Sequence, residues 1–141
     1  VTAILLLILG LFGFAALSTV TKDQQIAGFT KRQRLAFYAA EAGVAKALET
    51  LTTELAPSVP DTQLGDGSIF PHGSPSFRPD PSVAEPIEEL GTGAFPGMSL
   101  NIGQGGTPTY QLNYWRIRVQ GRSPGGTAAR IETVSGALLA H

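Results

Sequence analysis

The first twenty residues, VTAILLLILGLFGFAALSTV, contain no charged side chain. About 20 apolar residues rising about 1.5 Å each make a helix about 30 Å long, which matches the hydrocarbon thickness of a bilayer. Leu5, Leu6, Leu7, Ile8 and Leu9 leave no polar face, and Leu11, Phe12, Phe14 and Leu17 extend the apolar surface. A helix that is apolar all round must be covered by lipid or protein. No proline occurs before Pro57, so nothing in the sequence stops the helix where the membrane would end. Gly10 and Gly13 are spaced i, i+3 and do not form a GxxxG motif; they allow close helix approach or local flexibility.

A cleaved signal peptide would show a basic start, a shorter apolar core and small residues before the cut. None of these separates the apolar run from the polar segment after it. The expectation is a retained anchor, or a mature form whose basic leader was removed upstream of Val1.

Residues 21–56 change character. Lys22, Asp23, Gln24 and Gln25 mark an exit into water. Ile26, Phe29, Leu35, Phe37, Ala40, Val44, Leu48 and Leu51 then recur mostly at three- and four-residue intervals, the stripe of an amphipathic helix. Lys31, Arg32, Arg34, Lys46 and Glu49 supply its wet face. Gly28 is either a bend or locally unwound point, or a small residue that permits close packing. The helix is predicted to end near Leu55, because Ala56 precedes Pro57 and a pre-proline residue is pushed out of the α region. Such a rod is about 80 Å long. The rest of the chain is too short to cover it, so lipid or other copies must cover part.

Residues 57–97 hold most of the prolines and sustain neither helical nor alternating periodicity. They read as a loop region, pinned to the rod by Ile69, Phe70, Phe77, Ile87, Leu90 and Phe95, with one short helical turn within Ser82–Leu90. Residues 98–141 read as a small antiparallel sheet. Met98 to Ile102 is a short strand candidate. From Tyr110 to Gln120, Trp115, Ile117 and Val119 share one face and Tyr114, Arg116, Arg118 and Gln120 the other. Gly121 to Gly126 is a turn signal. Thr127 to Leu139 returns as the partner strand, with Ala129, Ile131 and Thr133 alternating against Arg130, Glu132 and Val134. Val44 and Leu48 of the helix are expected to pack on Trp115, Ile117, Val119 and Ile131. Glu132 is expected to neutralise Arg116 or Arg118 across the strands.

Little of the sequence points to chemistry. A net charge of −1 gives no basic face for nucleic acid, and the absence of cysteine excludes disulfides, thiol catalysis and thiolate metal sites. His72 and His141 have no catalytic or metal-ligand spacing. Asp61 and Asp66 in DTQLGDG lack the alternation and closing glutamate of a calcium loop, which leaves a plain turn. Glu85, Glu88 and Glu89 read as a solvated acidic patch. Gly103-Gln-Gly-Gly106 has no following lysine or helix to hold a phosphate. The expectations are no enzyme, no cofactor, no metal, no specific nucleic acid and no small-molecule substrate.

Two short runs, Ile26-Ala27-Gly28 and Arg34-Leu35-Ala36-Phe37-Tyr38-Ala39-Ala40-Glu41-Ala42-Gly43, come after the apolar segment with its Leu9-Gly10 step. Together they resemble the N-terminal region of PilX-type type IV pilus proteins and related type II secretion pseudopilins. The resemblance covers about the first 50 residues; the C-terminal half matches only in kind. It implies an α+β pilin-like lollipop, with one long helix over about 1–55 packed through its second half on the sheet. It marks Ile26, Gly28, Arg34, Phe37, Ala40, Glu41 and Gly43 as signature residues. Glu41 itself reads as a structural ion pair with Arg34 or Lys46, or as a solvated side chain.

The resemblance further implies a subunit held in the inner membrane and then polymerised into an extracellular filament. Its partners would be copies of itself or other pilins, joined through the helix, and the pilus assembly machinery. Leu5, Leu6, Ile8, Leu9, Leu11, Phe12, Phe14 and Leu17 would line the filament core. The chain departs from most pilins at one point: Thr2 to Leu7 contain no glutamate, whether Val1 is the mature start or lies a few residues inside it. That departure raises a minor or tip role beside the main-subunit role. A monomeric, single-pass anchored binding domain is the third expectation.

Overall fold

The computed structural model describes residues 2–53, 57–65, 73–93 and 110–140. Helix α1 spans Thr2–Thr53, 52 residues without interruption. At about 1.5 Å per residue it is about 78 Å long. Leucine and alanine supply its propensity, and it contains no proline. Its hydroxyl residues turn inward on the helix itself: Thr19, Thr21 and Thr30 donate Oγ1 hydrogen bonds to the carbonyls of Ala15, Leu17 and Ile26 at 3.1, 2.9 and 2.9 Å. Such back-bonding satisfies a hydroxyl without water. Gly28 lies within unbroken helix, so it is not an unwound point. The expected helix end near Leu55 lies outside the described residues.

Five antiparallel strands complete the α+β lollipop: β1 Thr62–Gln63, β2 Ser76–Pro79, β3 Ile87–Gly93, β4 Tyr110–Arg122 and β5 Ala128–Ala140. Strand β4 is the centre. β5 pairs with it along its full length, from Tyr110 opposite Ala140 to Arg122 opposite Ala128. Its other edge is shared end to end, by β3 opposite residues 112–117 and by β2 opposite residues 119–122. β1 adds to the outside of β2.

The region expected to be loop therefore contributes β1, β2 and β3. Each escapes a periodicity test for its own reason. β1 has two residues. β2 ends on Pro79, where a missing N–H is tolerated because β1 does not reach that far. β3 is interrupted by a bulge between Glu89 and Gly91, and Gly91 sits at φ 123°, a conformation that costs glycine nothing. Leu90, at the bulge, is exposed and does not pin the segment, whereas Phe77 is buried and Ile87 packs on the core. No helical turn forms within Ser82–Leu90: Pro81 to Ala84 make a turn and Ile87 to Leu90 belong to β3. Ile69, Phe70, Phe95 and the Met98–Ile102 strand lie outside the described residues.

The β4–β5 hairpin forms as expected, but β4 runs on through Gly121 and Arg122, and the turn is tighter than the sequence suggests. Ser123 N–H donates to Thr127 O at 2.9 Å and Gly126 N–H donates to Ser123 O at 3.0 Å, with Gly126 at φ 79°.

The sheet lies on the second half of α1, and glycines mark the closest approach. A Cβ on Gly43 would stand 2.5 Å from Val119 Cγ1 and 2.9 Å from Phe77. A Cβ on Gly121 would overlap the carbonyl oxygen of Ala36 and the backbone nitrogen of Ala40. A Cβ on Gly125 would overlap the Arg32 side chain. So β4 runs antiparallel to α1, from the level of Gly43 down to the level of Arg32, and the hairpin turn points towards the apolar end of the rod. The core comprises Ala47, Leu51, Val59, Phe77, Ile117 and Val119. Ile117 and Val119 are wholly buried, each contributing about 2 kcal/mol of transfer free energy. Thr50 Oγ1 ties the helix to the segment beyond it, lying 2.8 Å from Ala47 O and 3.2 Å from Ser58 O.

Candidate functional site: the uncovered face of the helix

The apolar stretch at the start of α1 is long enough to cross a membrane, and none of it is buried by the rest of the chain. Leu5, Leu6, Ile8, Leu9, Leu11, Phe12, Phe14 and Leu17 are all exposed, from 45% for Ile8 to 75% for Phe14. Exposed apolar side chains continue past the charged exit at Lys22 and Asp23. Ile26 is 64% exposed, and Phe29, Phe37 and Tyr38 are also open. The rings of Phe37 and Tyr38 meet edge to face with centroids 6.2 Å apart, a favourable aromatic geometry.

This corrects the expected stripe. The buried residues of α1 are Ala36, Ala39, Ala40, Gly43, Ala47, Thr50 and Leu51. Ile26 and Phe29 lie beyond the head, and Phe37 and Leu48 turn outward; Leu48, expected to pack on the sheet, is 37% exposed. The reason is distance. Backbone contact at Gly121 leaves room only for small residues beneath β4. Val44 and Trp115 do pack against the core, and Ile131 is half-buried on β5. The missed signal is the run Ala36, Ala40, Gly43, Ala47, small residues at four-, three- and four-residue spacing. That is an inward stripe written in volume instead of hydrophobicity.

The structure divides the signature residues. Ala40 and Gly43 are buried and seat the sheet, whereas Ile26, Gly28, Arg34, Phe37 and Glu41 are exposed. Glu41 forms no ion pair among the described residues; Lys46 instead binds Glu49, Nζ to Oε2 at 2.9 Å.

On the outward face of the sheet, Arg116, Arg118, Glu88 and Glu132 close a four-membered charge cluster. Arg118 lies 2.9 Å from Glu132 and 3.3 Å from Glu88. Arg116 lies 3.2 Å from Glu88 and 3.5 Å from Glu132. Glu132 thus meets both candidate arginines, and Glu88 is paired, not merely solvated. The hydrogen bond that Arg118 donates to Glu132 raises the Arg118 pKa. With both carboxylates committed to guanidinium groups, the cluster offers no base or ligand.

Asp80 is a buried carboxylate absent from the sequence expectations, although Asp-Pro-Ser is a turn signature. Burial pushes its pKa up, but other groups outweigh that effect and leave it below the usual value. They are the Ser82 N–H at 3.0 Å, the Ser82 hydroxyl at 2.8 Å, and the charges of Arg130 and Arg118. Asp80 is a structural cap. Among the described residues, no group of three or more histidine and acidic side chains could hold a metal ion. Asp61 is exposed before β1, while Asp66, His72, Gly103–Gly106 and His141 lie outside the described residues. Comparison with protein-family models, curated proteins and solved structures finds no match to the chain.

Proposed function

We propose that this chain is a structural subunit of a type IV pilus-like filament. Its apolar first helix half anchors it in the bacterial inner membrane before assembly. Afterwards the same surface is covered by neighbouring copies. Lipid and a bundle of apolar helices are both dry, so exchanging one for the other costs little hydrophobic free energy and packing decides the outcome.

The observation that carries this reading is the position of Ile26, Phe29, Phe37 and Tyr38. They lie beyond Lys22 and Asp23, the charged exit from the apolar run, and are uncovered in the single chain. A monomeric single-pass anchor has no use for apolar side chains there; a subunit that packs against its neighbours does.

The test uses residues outside the membrane. Phe29→Asp and Phe37→Asp leave the apolar anchor intact. Expressed with a pilus assembly machinery, both variants are expected to insert normally and to lose filaments. Filaments of wild-type abundance from both would overturn the reading. A wild-type chain that inserts and never polymerises would establish the anchored monomer instead.

The acid-free stretch Thr2–Leu7 favours a second reading, a minor or tip subunit that primes assembly or presents a binding surface. Immunogold labelling separates the two, because a main subunit labels the whole fibre and a tip subunit only its ends.

A further inference from the structure

We propose that a basic collar at the rod-facing end of the head seats it on an anionic phospholipid surface. The inference rests on the membrane-anchor part of the function proposed above, not on polymerisation. Lys31, Arg32 and Arg34 are all exposed on α1. At about 100° per residue they sit near 0°, 100° and 300° around the axis, so they ring the rod and do not line one face.

The head meets the rod at this level, since the β4–β5 turn rests on Arg32 through Gly125. Exposed Arg122, at the end of β4, adds a fourth positive charge beside that turn. Along the helix and along the hairpin the neighbouring sequence is free of acids. No aspartate or glutamate occurs between Asp23 and Glu41, or between Glu89 and Glu132. Among the described residues none of the four cations forms an ion pair, unlike Arg116, Arg118 and Arg130, which all do.

The spacing suits a membrane. With Val20 at the edge of the hydrocarbon, Lys31 stands about 16 Å further along the helix. The headgroup layer takes up roughly 5–8 Å of that. The remaining gap, about 10 Å, is close to one Debye length at physiological salt, and the long side chains reach across part of it. A negative surface potential therefore acts on the collar, each cation near the surface contributing to attraction.

The experiment uses the full chain. It contains no cysteine, so Pro124→Cys at the exposed turn gives a single site for a fluorescent donor. The labelled protein is inserted into vesicles of phosphatidylcholine alone, or with about one third phosphatidylglycerol, each carrying a headgroup acceptor. Flotation reports insertion, and energy transfer reports the height of the head. The expected result is greater transfer in the anionic vesicles, erased by high salt. The triple variant K31Q/R32Q/R34Q should also lose the difference while still floating, each replacement lowering the docked-to-undocked ratio by up to about fivefold. Equal transfer in both vesicle types, or a lipid-dependent difference that survives in the triple variant, overturns the proposal and leaves the anchor standing. A chain that floats with neither vesicle overturns the anchor and the collar together.

Discussion

The two halves of α1 use apolar residues in opposite ways. The first half carries Leu, Ile and Phe and buries none of them; the second half buries seven residues, of which only Leu51 is large. In the first half, each large side chain adds surface that some partner outside the chain must cover. In the second, small side chains bring two backbones together, and the apolar volume comes from Ile117, Val119 and Phe77 on the facing strands. Along α1, large apolar side chains thus mark the surface that the rest of the chain leaves uncovered, and small residues mark where the sheet seats.

The sharpest way to break this comparison is to enlarge the smallest residues. Gly121→Ala places a methyl group against the backbone of Ala36 and Ala40, which cannot move aside without bending the helix. The expected loss is about 3 kcal/mol or more, beyond the usual range for overpacking because the obstacle is main chain. It would be read from the denaturant midpoint of the detergent-solubilised protein. Ile117→Ala tests the other side of the interface and should cost about 3 kcal/mol through lost transfer and a residual cavity. Gly43→Ala meets side chains, Val119 and Phe77, which can yield a little, and should cost about 2 kcal/mol.

Asp80→Asn comes next at about 1 kcal/mol, a lost charge-assisted cap. The wild-type carboxylate has a folded pKa below its unfolded value of about 3.9. Its contribution is therefore whole above that unfolded value and disappears as pH falls through the lower folded one. The variant should lose this part of the acid dependence in a pH series of unfolding midpoints. At the small end, Leu6→Ala and Phe14→Ala should move the unfolding midpoint of the head by less than about 0.5 kcal/mol, since neither touches it. A large shift from either would mean that the two halves are not as separate as their burial implies.

The sequence revealed these regions unevenly, and for physical reasons. The rod, its apolar half and the β4–β5 hairpin announce themselves through long runs of one period: unbroken apolarity, then Trp115, Ile117 and Val119 against Arg116 and Arg118. Even the pairing of Glu132 with the arginines comes from counting residues across the turn. The edge strands do not announce themselves. β1 and β2 are too short to express a period, and the bulge before Gly91 breaks the one that β3 has. Phe37 and Leu48 mislead because helical spacing fixes which residues share a face, not which face is inside. That choice is made by the approach of Gly121, a residue 68 positions beyond the end of the helix in the chain.

The uninterrupted run through Gly28 has a consequence for how the protein can vary. The head and the apolar half share one helix, so their relative phase is set by the residue count between them. Adding one residue in the exposed stretch between Lys22 and Lys31 would alter no contact in either half. It would nevertheless lift the head by about 1.5 Å and swing it by about 100° about the rod. Substitutions in that stretch leave the bearing of the head unchanged, but a change of length there re-aims the whole head, and only about two full turns of insertion, seven residues, would restore its bearing.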